Sequence, residues 1–125
     1  MSQADEISIQ FPARRGFLYL TRLNASAVGT EAGLDIDELD DLRLAVNELI
    51  NWLLMDAEGD GQVNLSFFAL DGTIEIIGTR SCEAELPDRE MDDLASAVLG
   101  ATVDEYQVLD ERGQRGLKLR KSSTR

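Results

Sequence analysis

The stretch over residues 35–57, DIDELDDLRLAVNELINWLLMDA, constrains the fold most. Ile36, Leu39, Leu42, Val46, Leu49, Ile50 and Leu53 recur at three- and four-residue intervals, the spacing of a helix that buries one face. Asp35 is an N-cap by residue type. Asp37, Glu38, Asp40 and Asp41 load the first turns with negative charge, which the helix dipole favours. Leu44, Ala45, Trp52, Leu54 and Met55 widen the apolar surface beyond one stripe, so the helix is central, with a sheet on one side and other elements on the other. Glu48 and Asn51 lie inside this apolar run. Three residues apart, they project from neighbouring positions. They are the polar groups that ask for an explanation.

Around this helix the chain alternates cleanly. Ile7, Ile9 and Phe11 share one side of a short strand over 6–11, which Pro12 ends. Phe17, Leu18, Leu20, Leu23, Ala27 and Val28 predict an amphipathic helix over 13–32, closing near Gly29 or Gly33. Residues 58–61, EGDG, make a turn. Strands over 62–70 and 73–78 flank Asp71 and Gly72, a strong hairpin signal. Residues 79–90 are polar, contain Pro87 and read as a loop. A third helix covers 91–102, with Leu94, Val98 and Leu99 inward, and a closing hairpin pairs 105–109 with 116–121 around 110–115. The order β-α-α-β-β-α-β-β predicts a single α+β domain over 1–125. Its expected form is a two-layer sandwich, a mostly antiparallel sheet of about five strands with three helices on one face.

Composition excludes several chemistries. There is no histidine, which removes serine–histidine triads, histidine phosphotransfer and most transition-metal sites. Cys82 stands alone, so no intrachain disulfide forms and a reducing cytoplasm is the expected location. No apolar run reaches the roughly 18 residues of a membrane span, and MSQADEISI carries no secretion signal. The net charge is −12, unevenly placed: all 24 acidic residues precede position 112. Such an acidic body argues against direct nucleic-acid binding. The basic end, KLRKSSTR, reads as a solubilising frayed terminus, with an acidic partner surface as the alternative.

The run DLRLAVNELINWLL, preceded by GLDIDELD, resembles the RsbW-type anti-sigma factor serine-protein kinases of the histidine-kinase-like (GHKL) ATPase superfamily. That family carries its nucleotide site on a helix of pattern D-x-x-x-A-V-x-E-x-x-x-N, and Asp41, Ala45, Val46 and Glu48 match it. The resemblance implies a histidine-kinase-like ATPase fold, a Glu acting as base and an Asn holding the Mg²⁺ that bridges ATP phosphates. Here Trp52 stands where that Asn belongs, and an indole has no acceptor oxygen for Mg²⁺. Asn51 comes one position early, turned about 100° around the helix. Sliding the register to fit Asn51 puts Asn47 in place of the Glu. The family's adenine-reading D-x-G-x-G segment is IIGTRSCEAEL here, with Gly78 alone and no aspartate. The glycine-rich phosphate lid is DREMDDLASAV, with Asp92 and Asp93 where backbone N–H groups would meet phosphate.

These departures predict a degenerate, non-catalytic member with no catalytic residue, no metal ligand and no cofactor. Glu48 is then a vestigial base or a polar residue at the helix edge. Asn51 is a displaced ligand or a local hydrogen-bonding group, and Trp52 fills the emptied nucleotide cavity or stacks on a ligand. Cys82 reads as an inert thiol. The resemblance implies bacterial partner switching, with a sigma factor or a STAS-type anti-sigma antagonist as protein partner, and homodimers. Two alternatives stay open. One is an active ATP-dependent serine kinase using Glu48, Mg²⁺ and a rearranged site. The other is a small-molecule sensor in the former ATP pocket, which requires a sizeable cavity beside the central helix.

Overall fold

Five strands and three helices follow one another in the order read from the sequence. The structure is a computed structural model that describes residues 5–56, 59–111 and 114–124. Strands β1 (Asp5–Pro12), β2 (Gln62–Leu70), β3 (Thr73–Ser81), β4 (Glu105–Glu111) and β5 (Gln114–Ser122) form one antiparallel sheet in the order β1-β2-β3-β5-β4. Strict alternation decides its faces. Val63, Leu65, Phe67, Ile74, Ile76, Leu117 and Leu119 are buried beneath the helices, while Asn64, Ser66, Glu75, Thr79 and Lys118 line the more open face. This is the expected two-layer α+β sandwich.

Helix α2 (Ile36–Leu54) is the central element, over β3 and β5 with α1 (Leu18–Ala32) and α3 (Asp93–Thr102) on either flank. It starts with a full capping box: Asp35 Oδ1 accepts the Glu38 N–H at 2.8 Å, and Glu38 Oε1 accepts the Asp35 N–H at 2.9 Å. Leu42, Val46, Leu49 and Leu53 are no more than 1% exposed. Ile36, expected inward, is 77% exposed. It precedes Leu42 by six residues, roughly 240° around the helix, which carries it off the buried stripe. Leu44 is exposed for the same angular reason. The helix stops at Leu54, where Met55 turns extended and Asp56 left-handed, short of the expected end at residue 57, which itself lies outside the described residues.

The other departures also follow from packing. The chain after Pro12 makes a 3-10 turn, Arg15–Phe17, before α1 begins at Leu18 rather than at residue 13. The buried line of α1 is Thr21, Ala25, Val28, Gly29 and Ala32, leaving Leu20 and Leu23 outside. Helix α2 lies too close for larger groups, since a Cβ on Gly29 would come 2.8 Å from the Leu39 side chain. β3 runs three residues further than the sequence predicts, to Ser81, so the loop starts at Cys82. α3 begins at Asp93, where Asp92 Oδ1 accepts the Ala95 N–H at 2.7 Å; Leu94 in its first turn points to solvent. The basic end is not frayed over its described part. Lys118, Arg120 and Lys121 belong to β5, where Arg120 pairs with Glu105 at 2.6 Å and Lys121 Nζ caps α3 at the Thr102 carbonyl, 2.7 Å away. Among the described residues, no helix is long and apolar enough to cross a membrane.

Candidate functional site

The C-terminal end of α2 leaves carbonyl oxygens without intrahelical partners and carries the negative end of the helix dipole. Two buried arginines, one from β3 and one from β5, meet them. Arg80 occupies the inward position after Ile74, Ile76 and Gly78 and has no exposed surface. Its Nη1 donates to the carbonyls of Leu53 (3.1 Å) and Asp56 (2.7 Å), and its Nη2 to that of Asp60 (2.9 Å). Arg115 donates to the Met55 carbonyl at 2.5 Å, the Pro87 carbonyl at 2.8 Å and Asp56 Oδ2 at 3.1 Å. Its guanidinium also lies 5.4 Å from the centre of the Trp52 ring.

Asp56 closes the cluster. It adopts a left-handed backbone, φ 68°, at a point where the chain leaves the helix. Arg89 grips its carboxylate in a fork, Nε at 3.0 Å and Nη2 at 2.6 Å. The hydrogen bond from Arg89, aided by Arg115, holds the Asp56 carboxyl below its ordinary range, while Asp56 raises the Arg89 pKa. The strap between β3 and α3, residues 82–92, is pinned through Arg89, through the Pro87 carbonyl and by the buried Leu86, and so lies across Trp52.

Trp52 itself is 5% exposed, and its Nε1 donates to the Gly116 carbonyl at 3.1 Å. The space left beside it, bounded by Leu86, Pro87, Arg89, Val108 and Arg115, is about 20 Å³, room for about one water. Larger hollows of about 400 and 500 Å³ lie open along the β4–β5 hairpin.

Of the three candidate residues, the helix brings two together. Glu48, half-buried, lies one turn before Trp52 on the same flank of α2. Asn51 is turned toward the α1 side instead, where its Oδ1 accepts from Arg15 Nη1 at 2.6 Å; Asn47 likewise accepts from Arg22 Nε at 2.8 Å. Cys82 is half-buried and its thiol donates to the Ala84 carbonyl at 3.0 Å. Gly78 serves packing: a Cβ there would approach the side chains of Leu65, Leu49 and Leu53 to 2.9–3.0 Å.

These residues do not fit Mg²⁺-ATP. The indole at Trp52 offers no ligand oxygen and its N–H is engaged. Asn51 is on another flank, and Asp92 satisfies an N-terminal amide of α3 that a phosphate would need. Among the described residues, no group of three or more His, Cys, Asp or Glu side chains converges to hold a metal.

Asp56, Arg80, Arg89 and Arg115 escaped the reading of the sequence. Arg80 did leave a signal, since a cation at an inward position of an alternating strand demands buried acceptors. The Asp56 pairings to Arg89 and Arg115 span 33 and 59 residues and left none.

No family model matches the chain. It is similar to the serine-protein kinase RsbW of Bacillus subtilis strain 168, with 27% identity over 107 residues, 83% of this chain and 67% of that protein. The serine-protein kinase RsbW of Oceanobacillus iheyensis is 31% identical over 80 residues, 62% of this chain and 51% of the relative. That of Listeria monocytogenes serotype 4a is 29% identical over 75 residues, 58% of this chain. The matched stretch spans about half the length of the Listeria kinase, 48%. In fold, the chain is similar to the crystal structure of the RsbU and RsbW domains of Rv1364c from Mycobacterium tuberculosis. That likeness has a TM-score of 0.65 at 17% identity, over 94% of this chain and 32% of that one. The resemblance read from the central helix therefore holds in both comparisons: RsbW serine-protein kinases are similar to this chain in sequence, and its α+β fold is RsbW-like.

Proposed function

We propose that the chain is a non-catalytic regulator of the anti-sigma type, working by protein–protein contact in a partner-switching system. Its partner class, a sigma factor or a STAS-type antagonist, and its self-association are those that the family resemblance implies. The observation that carries the non-catalytic part is the filled end of α2. Trp52, Arg80 and Arg115 occupy it through bonds to backbone carbonyls, and a space of about 20 Å³ remains. A nucleotide site takes several hundred Å³, by order of magnitude.

ATP also needs compensation for its charge: a metal, basic side chains or convergent N–H groups. The cations nearest Trp52 are committed elsewhere, Arg80 to carbonyls and Arg89 and Arg115 to Asp56. Isothermal titration with ATP and Mg²⁺ tests the reading. The expected outcome is no binding tighter than about 1 mM. A micromolar dissociation constant that Glu48→Ala abolishes overturns it and supports an active serine kinase.

A further inference from the structure

The strap over 82–92 is attached to the rest of the molecule much as a bound peptide is attached to its site. It contains no helix or strand, and over 83–90 every residue but Leu86 is exposed. Three contacts in sequence fasten it. Leu86, 4% exposed, lines the same small space as Trp52; the Pro87 carbonyl accepts from Arg115 at 2.8 Å; Arg89 grips the Asp56 carboxylate. Pro87 biases Leu86 toward an extended backbone, so the three groups are offered along an open segment.

The seat beneath is built without the strap. Trp52 is fixed by the Gly116 carbonyl, and Arg115 by the Met55 carbonyl and Asp56, bonds that join the end of α2 to β5 and involve no residue of 82–92. The strap's own fork is open to water: the Arg89 side chain is 48% exposed and that of Asp56 19%. An ion pair this accessible holds weakly. Charge works against the strap as well. It carries Glu83, Glu85, Asp88, Glu90 and Asp92 against one base, Arg89, in a body that already holds all 24 acids before position 112. A basic segment from outside meets attraction where the strap meets repulsion.

We propose that the strap is a displaceable internal ligand, and that the seat of Trp52, Arg115 and Asp56 takes an extended segment of a partner protein. The segment it fits has an aliphatic residue, a proline and, two residues after the proline, an arginine, set among basic side chains. The aliphatic group replaces Leu86, the proline carbonyl accepts from Arg115, and the guanidinium forks onto Asp56. An arginine suits that last place better than a lysine, because it bonds a carboxylate through two parallel N–H groups. The inference rests on the protein-contact reading above and gives it a seat and a recognised chemistry. Tethered at both ends, the strap competes at an effective concentration on the order of millimolar, and a partner enters in proportion to the open fraction.

The probe is a blocked peptide, Ala-Lys-Leu-Pro-Ser-Arg-Lys-Met, which copies residues 84–91 with the acids replaced. It is titrated into the full chain and followed by Trp52 fluorescence. Arg89→Ala and Leu86→Ala each loosen the strap and leave the seat whole. Both variants, folded by circular dichroism, are expected to bind the peptide about tenfold or more tightly than the wild type does. Asp56→Asn in the Arg89→Ala background is expected to lose that gain, and so is a peptide with lysine in place of its arginine. Either folded variant binding no better than the wild type overturns the proposal. A gain that survives Asp56→Asn also overturns it, because the peptide then sits elsewhere on the acidic surface. Either failure removes the seat alone and leaves the non-catalytic reading to the ATP titration, which tests it separately.

Discussion

Arg80 is the residue on which most of the site depends. Its guanidinium is fully buried and bonded to backbone carbonyls, at the end of a helix whose dipole favours a cation. Arg80→Ala should leave those carbonyls dry and unpaired, lowering unfolding free energy by about 3 kcal/mol or more in urea titrations. Arg80→Lys should fail to rescue most of the loss, because an ammonium cannot span the fork of acceptors. Leu49→Ala, by contrast, creates a plain cavity and should cost roughly 2–5 kcal/mol. The two residues differ in legibility. Leu49 follows from helical spacing alone, and the Asp35 cap from residue type just before the apolar run. The partners of Arg80 are carbonyls at least 20 residues distant, and no local pattern encodes them. Leu20 and Leu23 mislead for a related reason: periodicity finds an apolar stripe, but only packing against Leu39 and Leu42 selects the small one.

At the scale of elements, the strap over 82–92 depends on Asp56. The folded-state pKa of Asp56 lies below its ordinary 3.8, and that of Glu38, which accepts the N–H groups of Asp35 and Thr124, lies below 4.5. Depressed carboxyl values mean stabilisation that is fully present above the ordinary range and lost as pH falls through the lowered values. Acid titration should therefore leave the fold unchanged near pH 6 and loosen it below about pH 4. Asp56→Asn should remove the fork to Arg89 at every pH. The expected result is faster amide exchange confined to the strap and altered Trp52 fluorescence, since Arg115 lies over that ring. Unchanged exchange in the strap would show that Leu86 and Arg115 hold it alone. The polar composition of 79–90 announced a loop, and Pro87 supported it. Its docking across Trp52 depends on contacts between segments far apart in sequence, so the loop was legible and its closure was not.

For the whole molecule, the question is whether one substitution can open a nucleotide site, and the charges argue against it. Residues 1–111 carry all 24 acidic side chains and only part of the basic ones, so the long-range field around this body disfavours an anion. Trp52→Asn would place an amide one turn after Glu48, as in the helix pattern of the kinases that the chain resembles. Arg80 and Arg115 would still fill the end of α2, Asp92 would still cap α3, and the strap would still be latched to Asp56. These contacts come from separate elements, and each is a bond to a backbone group or a carboxylate rather than to the indole. Removing the indole also breaks the bond to the Gly116 carbonyl and leaves a void in the core, so the variant should lose stability, by roughly 2–4 kcal/mol. Titration with ATP and Mg²⁺ should then give a dissociation constant no tighter than the millimolar range, about 4 kcal/mol short of a micromolar site. Micromolar affinity gained by Trp52→Asn alone would mean that the indole is the sole obstacle and that the surrounding arginines yield to phosphate.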